Sequence, residues 1–228
     1  MKKPFIRQVL YLLPLLTIHF SSIAQPASPS QKERFGFDLD LGLARPTDKA
    51  LNGVFYTGLS GGIGVKMAVL TNKKLWIKAA GGTKLYSKKA GDEDGMREAF
   101  RTWKAGIELQ YEITGPKNFS FYPLLRIDHN WSSNYFSKTY DYDISANSRT
   151  IAISDKYLKG TGYSYAAGLM IVRCPVYLKL EYEYYKPDLN VHPDFIKAAL
   201  DEGIIVPSVA PLNCSAVSIA LGINLNFK

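Results

Sequence analysis

"SAVSIALGINLNFK", residues 215–228, ends the chain. From Val217 onward every second residue is apolar: Val217, Ile219, Leu221, Ile223, Leu225 and Phe227. Between them stand Ser218, Ala220, Gly222, Asn224 and Asn226, all small or amide-bearing. A period of two marks a strand whose two faces meet different surroundings. The fold turns on which solvent meets the apolar face.

The same period runs back through the chain. It marks seven more strands, at 35–43, 55–70, 75–86, 102–113, 119–131, 162–172 and 176–185. Eight is an even number of strands, each about ten residues long, which suits a closed antiparallel barrel. The connections alternate in length: 71–74, 114–118 and 173–175 are tight turns, and 45–54, 87–98, 132–161 and 186–213 are long. Short turns at one end and long loops at the other are the asymmetry of a barrel that spans a membrane, with the loops outside the cell.

Two apolar-face girdles of aromatics are expected. At the loop ends stand Phe55, Trp103, Trp131, Tyr163, Tyr165, Tyr182 and Tyr184; at the turn ends, Phe35, Phe37, Tyr111, Phe119, Phe121 and Phe227. Such rings favour the two water interfaces of a bilayer. The competing arrangement is a soluble barrel of the lipocalin kind, apolar within and charged without. Glycine separates the two. Gly36, Gly42, Gly58, Gly62, Gly64, Gly82, Gly106, Gly162, Gly168 and Gly222 share the polar face with long charged residues. Small beside large suits the crowded lumen of an eight-stranded barrel.

The polar face then becomes a lumen charge network. It comprises Asp38, Asp40, Lys66, Lys78, Lys84, Lys104, Glu108, Glu112, Arg126, Asp128, Lys179, Glu181 and Glu183, seven acids and six bases. Buried charge must interleave in sign, so the network implies a plugged tube. A narrow solute channel is the alternative.

Ahead of the barrel, "MKKPFIRQVLYLLPLLTIHFSSIAQ" has a basic start, an apolar run broken by Pro14, and small residues at Ser22 and Ala24. This reads as a signal peptide over 1–24, cleaved before Gln25; a membrane anchor is the alternative. A flexible leader over 25–33 and a barrel domain over 34–228 follow. Removing the signal takes the formal charge from +8 to +5. No basic cluster is interleaved with aromatics, so nucleic acid is not an expected partner. Cys174 and Cys214 fall at opposite strand ends, too far apart to pair, and are expected as free thiols.

With these features the chain resembles the small outer-membrane barrel families, the OmpX-like and OmpW-like proteins and the membrane domain of OmpA. The resemblance covers 34–228 and rests on export, eight alternating strands, loop asymmetry, girdles and the terminal "INLNFK". It implies residence in the bacterial outer membrane and contact with its lipids, lipopolysaccharide included. It also implies that Phe227 is an assembly signal for the barrel-assembly machinery, although Lys228 follows where many members end on the aromatic. It carries no catalytic motif and implies no cofactor.

Chemistry has few other places to reside. His129 falls on the apolar face near the loop rim, beside Ser132 and Ser133, with no acid placed to orient it as a triad requires. A lipid A-modifying enzyme is therefore the alternative to a non-enzymatic barrel with loops for surface or partner contact. Asp141, Asp143 and Asp155 are too scattered for a metal site. "PDFIKAALDEG" (193–203) reads as a helix with Asp194 in its first turn and Gly203 at its end, packing over the mouth or meeting an extracellular or envelope protein. "YDYDIS" and "TIAIS" suggest a hairpin above the membrane. Lys84, Lys88, Lys89, Arg97 and Arg101 near one rim suit phosphate. Pro123, inside the fifth strand, suggests a bulge and a register shift.

Overall fold

The computed structural model describes residues 35–69, 74–87, 98–115, 119–136, 140–143, 150–153, 158–201 and 203–227. The expected signal peptide and leader lie outside the described residues, as do Lys88, Lys89 and Arg97. Thirteen strands are described: β1 Phe35–Pro46, β2 Gly58–Ala68, β3 Leu75–Ser87, β4 Glu98–Tyr111, β5 Ile113–Thr114, β6 Ser120–Phe136, β7 Tyr140–Asp143, β8 Thr150–Ile153, β9 Leu158–Arg173, β10 Val176–Tyr185, β11 Asp188–Val191, β12 Val209–Pro211 and β13 Ala216–Phe227. Two helices join them, α1 Lys49–Val54 and α2 Pro193–Asp201.

Eight strands close a ring. β1, β2, β3, β4, β6, β9, β10 and β13 pair in that order, all antiparallel, and β13 returns to β1. The seam joins the two ends of the sheet, Phe35 opposite Phe227 through Pro46 opposite Ala216. Closure leaves no strand edge around the ring, the condition for carrying backbone through hydrocarbon.

Alternation decides the two faces. Outward side chains include Leu41, Ile107 and Leu125, which are 68%, 61% and 63% exposed. Their inward neighbours Asp38, Glu108 and Asn130 are all 0% exposed. The apolar face is therefore the outer one and the ionic face the inner one, the reverse of a soluble barrel.

The expected bulge at Pro123 is not formed. β4 pairs with β6 from Glu98 opposite Phe136 to Gln110 opposite Leu124, and β5 resumes in the same register at Ile113 opposite Phe121. The ladder is interrupted across Pro123, which has no N–H to give, but no residue is inserted. On its other side Pro123 stays in step with Leu169 of β9.

The second strand begins at Gly58, not at Phe55. Asp48 starts α1, its Oδ1 accepting the Leu51 N–H at 3.3 Å, and the Phe55 N–H then reaches the Leu51 carbonyl at 2.8 Å. This turn of helix swings Phe55 inward, where it is buried rather than set in the outer girdle. Strand parity cannot be extended through a helix, so the residue falls on the wrong side of the count.

The hairpin in loop 132–161 is present as β7 paired with β8, Tyr140 opposite Ile153. β11 and β12 continue the registers of β10 and β13 above the rim, with Asn190 opposite both Lys159 of β9 and Val209 of β12. α2 sits at the tip of this raised hairpin. His192 precedes Pro193 and receives the Asp194 N–H on Nδ1 at 3.3 Å. Gly203, at φ 73°, ends the helix, with Gly203 N–H to Leu200 and Ile204 N–H to Ala199 at 2.9 and 2.8 Å. This is a Schellman close, and it calls for a left-handed residue at that position.

Candidate functional site

The lumen holds the chemistry-bearing side chains in three layers. The middle layer is ionic. Lys78 of β3, Glu108 of β4 and Arg126 of β6 stand on one hydrogen-bonded row, followed by Ala166 of β9 and Glu183 of β10. The signs alternate along it, and the alanine leaves room for Arg126 to reach across. Arg126 donates to Asp128 at 2.6 Å, Glu181 at 2.7 Å, Glu183 at 3.2 Å and Glu108 at 3.4 Å. Lys78 bridges Asp38 at 3.1 Å and Glu108 at 3.3 Å, and Lys66 meets Asp38 at 3.3 Å. Lys104 and Lys84 reach Glu183 at 3.1 and 3.0 Å. Lys179 holds Asp40 at 2.7 Å, and the Tyr177 hydroxyl donates to the same carboxylate at 3.1 Å.

Twelve of the thirteen network candidates are thus ion-paired within the lumen, six acids against six bases: ten form one connected network, and Lys179 with Asp40 makes a separate pair. Glu112 stands apart. It is half-buried between β4 and β5 at the turn end, where it accepts from Ser120 Oγ at 3.4 Å. Lys84 is likewise withdrawn from the rim set, because its ammonium lies buried against Glu183.

The layers above and below are mainly apolar, with buried polar groups among them: Thr102, Ser132 and the Tyr185 hydroxyl in a hydrogen-bonded chain at the loop end, and Gln110 and Asn224 at the turn end. At the loop end, Ala44, Leu51, Phe55, Tyr86, Phe100, Tyr185, Leu189 and Cys214 form one buried cluster. Phe55 and Phe100 pack with ring centroids 6.2 Å apart. At the turn end, Trp76, Tyr122, Leu124, Met170, Val172 and Tyr177 form another, and Lys66 lies over Trp76 and Tyr122 at 5.1 and 5.6 Å. These stoppers were not read from the sequence. Trp76, Tyr122, Met170 and Tyr177 occupy inward positions among charges, and their parity was the signal that could have found them. Between the layers a void of about 20 Å³ remains beside Asp40, Lys78 and Lys179, room for about one water.

Cys174 and Cys214 are free thiols; the first is exposed at the β9–β10 turn and the second is buried in the upper cluster. Burial pushes the Cys214 thiol up to about 12. His129 is partly exposed on the outer face, edge-on to Trp131 at 4.6 Å and Tyr163 at 5.1 Å. Phe227 pairs with Phe35 at the seam. Among the described residues no group of three His, Cys, Asp or Glu is placed to hold a metal ion.

Among the described residues, the outward aromatics on the ring strands at the loop end, Trp103, Trp131, Tyr163, Tyr165, Tyr182 and Tyr184, lie on β4, β6, β9 and β10; β13, β1 and β2 present Val217, Leu43 and Leu59, and exposed Tyr56 stands just ahead of β2.

The chain is a closed eight-stranded β-barrel with an apolar exterior and a charged, filled interior. No protein-family model matches it, and no curated protein does. Solved structures of similar course include a bacterial surface protein and two outer-membrane proteins. Neisserial surface protein A (NspA) is 13% identical with a TM-score of 0.47, over 85% of this chain and 97% of that one. A major outer membrane protein from Thermus thermophilus is 12% identical with a TM-score of 0.46, over 85% and 99%. OprG from Pseudomonas aeruginosa is 14% identical with a TM-score of 0.43, over 86% and 98%. The barrel itself rests on the strand pairing and the burial described above.

Proposed function

We propose that this chain is an integral protein of the bacterial outer membrane, that its lumen is a structural core rather than a conduit, and that its work is done by the loop end, in contact with the cell exterior or an envelope partner. The observation that carries this is the inversion of faces: exposed leucine and isoleucine around a buried, charge-balanced interior. In water such a surface would be one continuous apolar patch, far beyond what a soluble monomer tolerates. In lipid it is the favourable surface. The apolar clusters above and below the ion pairs support the sealed lumen, since a hydrated ion would have to displace both.

Catalysis has weaker support. His129 is flanked by two aromatic rings, and no carboxylate among its described contacts orients it. The same reading takes barrel-assembly machinery as the agent that inserts the chain, with Phe227 in its recognised strand.

Cell fractionation combined with gel migration of heated and unheated samples tests the placement. The unheated protein should run as a compact species in the outer-membrane fraction, and a soluble folded protein would overturn the proposal. In planar bilayers the purified barrel should be electrically silent; steady conductance would revive the channel. Lipid A profiles from cells carrying His129→Ala should match the wild type, and a changed profile would revive the enzyme.

A further inference from the structure

The raised hairpin carries an apolar tip inside an acidic stretch. α2 lies against β8, and Ala199, 0% exposed, marks its packed side. Asp194, Lys197, Leu200 and Asp201 recur at helical spacing on the other side, and all four are exposed. The Schellman close at Gly203 then turns the chain back, so that Ile204 and Ile205 emerge beside the last turn of the helix. Leu200 and Ile205 are 62% and 89% exposed, with Ile204 at 37% and Val209 at 39%. Large apolar side chains gathered in the open in this way mark a contact surface. From Tyr184 in the aromatic belt to Val191 the chain climbs seven residues (191 − 184). At about 3.3 Å per residue and a tilt of about 40°, the climb is roughly 18 Å. The tip therefore stands clear of the hydrocarbon of its own membrane. Between Pro187 and Asn213 the sequence holds Asp188, Asp194, Asp201 and Glu202 against Lys197, a formal −3 in a chain whose total is +8. The neighbouring loop, 132–161, has four bases and three acids, so the two together remain at −2. His192 Nδ1 lies 3.7 Å from the Asp194 carboxylate and adds a charge only when protonated.

We infer that this tip, with Leu200, Ile204 and Ile205 at its centre and Asp194 and Asp201 beside them, is the docking site for a protein whose own surface presents an apolar pocket ringed by lysine and arginine. The inference rests on the proposed outer-membrane placement and names the partner chemistry of its loop end. Charge chooses among the possible occupants. A second copy of the tip would bring acid against acid, and an anionic bilayer would be repelled in the same way. A cationic protein surface gains twice: the acids steer it in, and the leucine and isoleucines anchor it.

The test uses the folded barrel in phosphatidylcholine nanodiscs. The probe is a synthetic amphipathic helix with leucine on one face and lysine flanking it. One control peptide replaces lysine by glutamate, and another replaces leucine by serine. Biolayer interferometry reads association and dissociation, with empty nanodiscs subtracted. The lysine–leucine probe should bind and neither control should. Leu200→Ser with Ile205→Ser should weaken binding at least about tenfold, as the loss of apolar anchors does. Asp194→Asn with Asp201→Asn should slow association about fivefold at low salt and leave dissociation nearly unchanged, as rim charges do. Tyr56→Ser, an exposed aromatic ahead of β2, should bind as the wild type does. Light scattering of the nanodiscs and co-sedimentation with phosphatidylglycerol vesicles read the other occupants. Pairing through the tip, or capture of vesicles in preference to the probe, overturns the inference. So does equal binding by the tip variants or by the glutamate peptide. Heat-modifiable migration is read on every sample. A barrel that is folded in nanodiscs but leaves the probe unbound removes this site and keeps the outer-membrane reading, whereas one that fails to enter nanodiscs removes both.

Discussion

Arg126 is the residue on which the interior most depends. It touches Glu108, Asp128, Glu181 and Glu183 at once, and is 5% exposed. Removing one partner of a buried ionic cluster leaves uncompensated charge in a low dielectric, which costs about 3–5 kcal/mol. Arg126→Met should therefore lower the unfolding free energy, measured by urea titration in detergent, by that much. Arg126→Lys should fall between, since one ammonium cannot span the fork that reaches Asp128 and Glu181 together. Gly222 shows the opposite kind of constraint. It lies opposite Tyr177, and an added Cβ would meet the Tyr177 ring and the Leu39 carbonyl oxygen. The ring covers the glycine as a large residue often does across a sheet. Gly222→Ala should destabilise by about 1–3 kcal/mol in the same assay, because the backbone oxygen has nowhere to yield. The two thiols give a third contrast. Maleimide should label Cys174 in the folded barrel and reach Cys214 only on unfolding; fast labelling of both would mean that the upper cluster opens.

At the scale of elements, the raised hairpin departs most from a plain barrel. Its strands keep the barrel's register through the Lys186–Pro187 bend, so β11 and β12 are extensions of the wall rather than a separate loop fold. The tip depends on Gly203, whose positive φ an alanine adopts at a cost of about 1 kcal/mol. Gly203→Ala should raise proteolytic nicking between residues 192 and 208 about fivefold, as expected when local opening becomes easier by that amount. Migration of the unheated barrel should not change. If it did, the helix would be part of the barrel's cooperative unit. α1 acts at the same scale: one turn of helix carries Leu51 and Phe55 down onto Phe100 and closes the mouth.

For the whole molecule the decisive property is the orientation of its two faces. Nitroxides at Leu109 and Ile219, 43% and 47% exposed on the outer wall, should be relaxed by oxygen and shielded from an aqueous nickel chelate. A nitroxide at Lys186 should respond the other way. Aqueous exposure at the first two positions would contradict the hydrocarbon surroundings on which the fold's stability depends. Among the described residues no helix is long and apolar enough to cross a membrane, so strands are what the structure offers for crossing.

Much of this was legible in the chain itself. Alternation is a local property of a strand, so the eight barrel strands, their inward and outward faces and the members of the ionic set could be read without knowing which strand lies beside which. Long and short connections could be counted directly, and the helix at Pro193 carried its own start and stop residues. Register could not be read, because it depends on partners distant in sequence. Only closure of the ring shows that Lys78, Glu108 and Arg126 fall on one row, that Ala166 opens the way to Glu183, and that Glu112 drops out of the cluster. Only packing shows Phe55 turned inward and Pro123 held in step without a bulge. A sequence states what each residue prefers to face; the tertiary structure decides which neighbour it meets there.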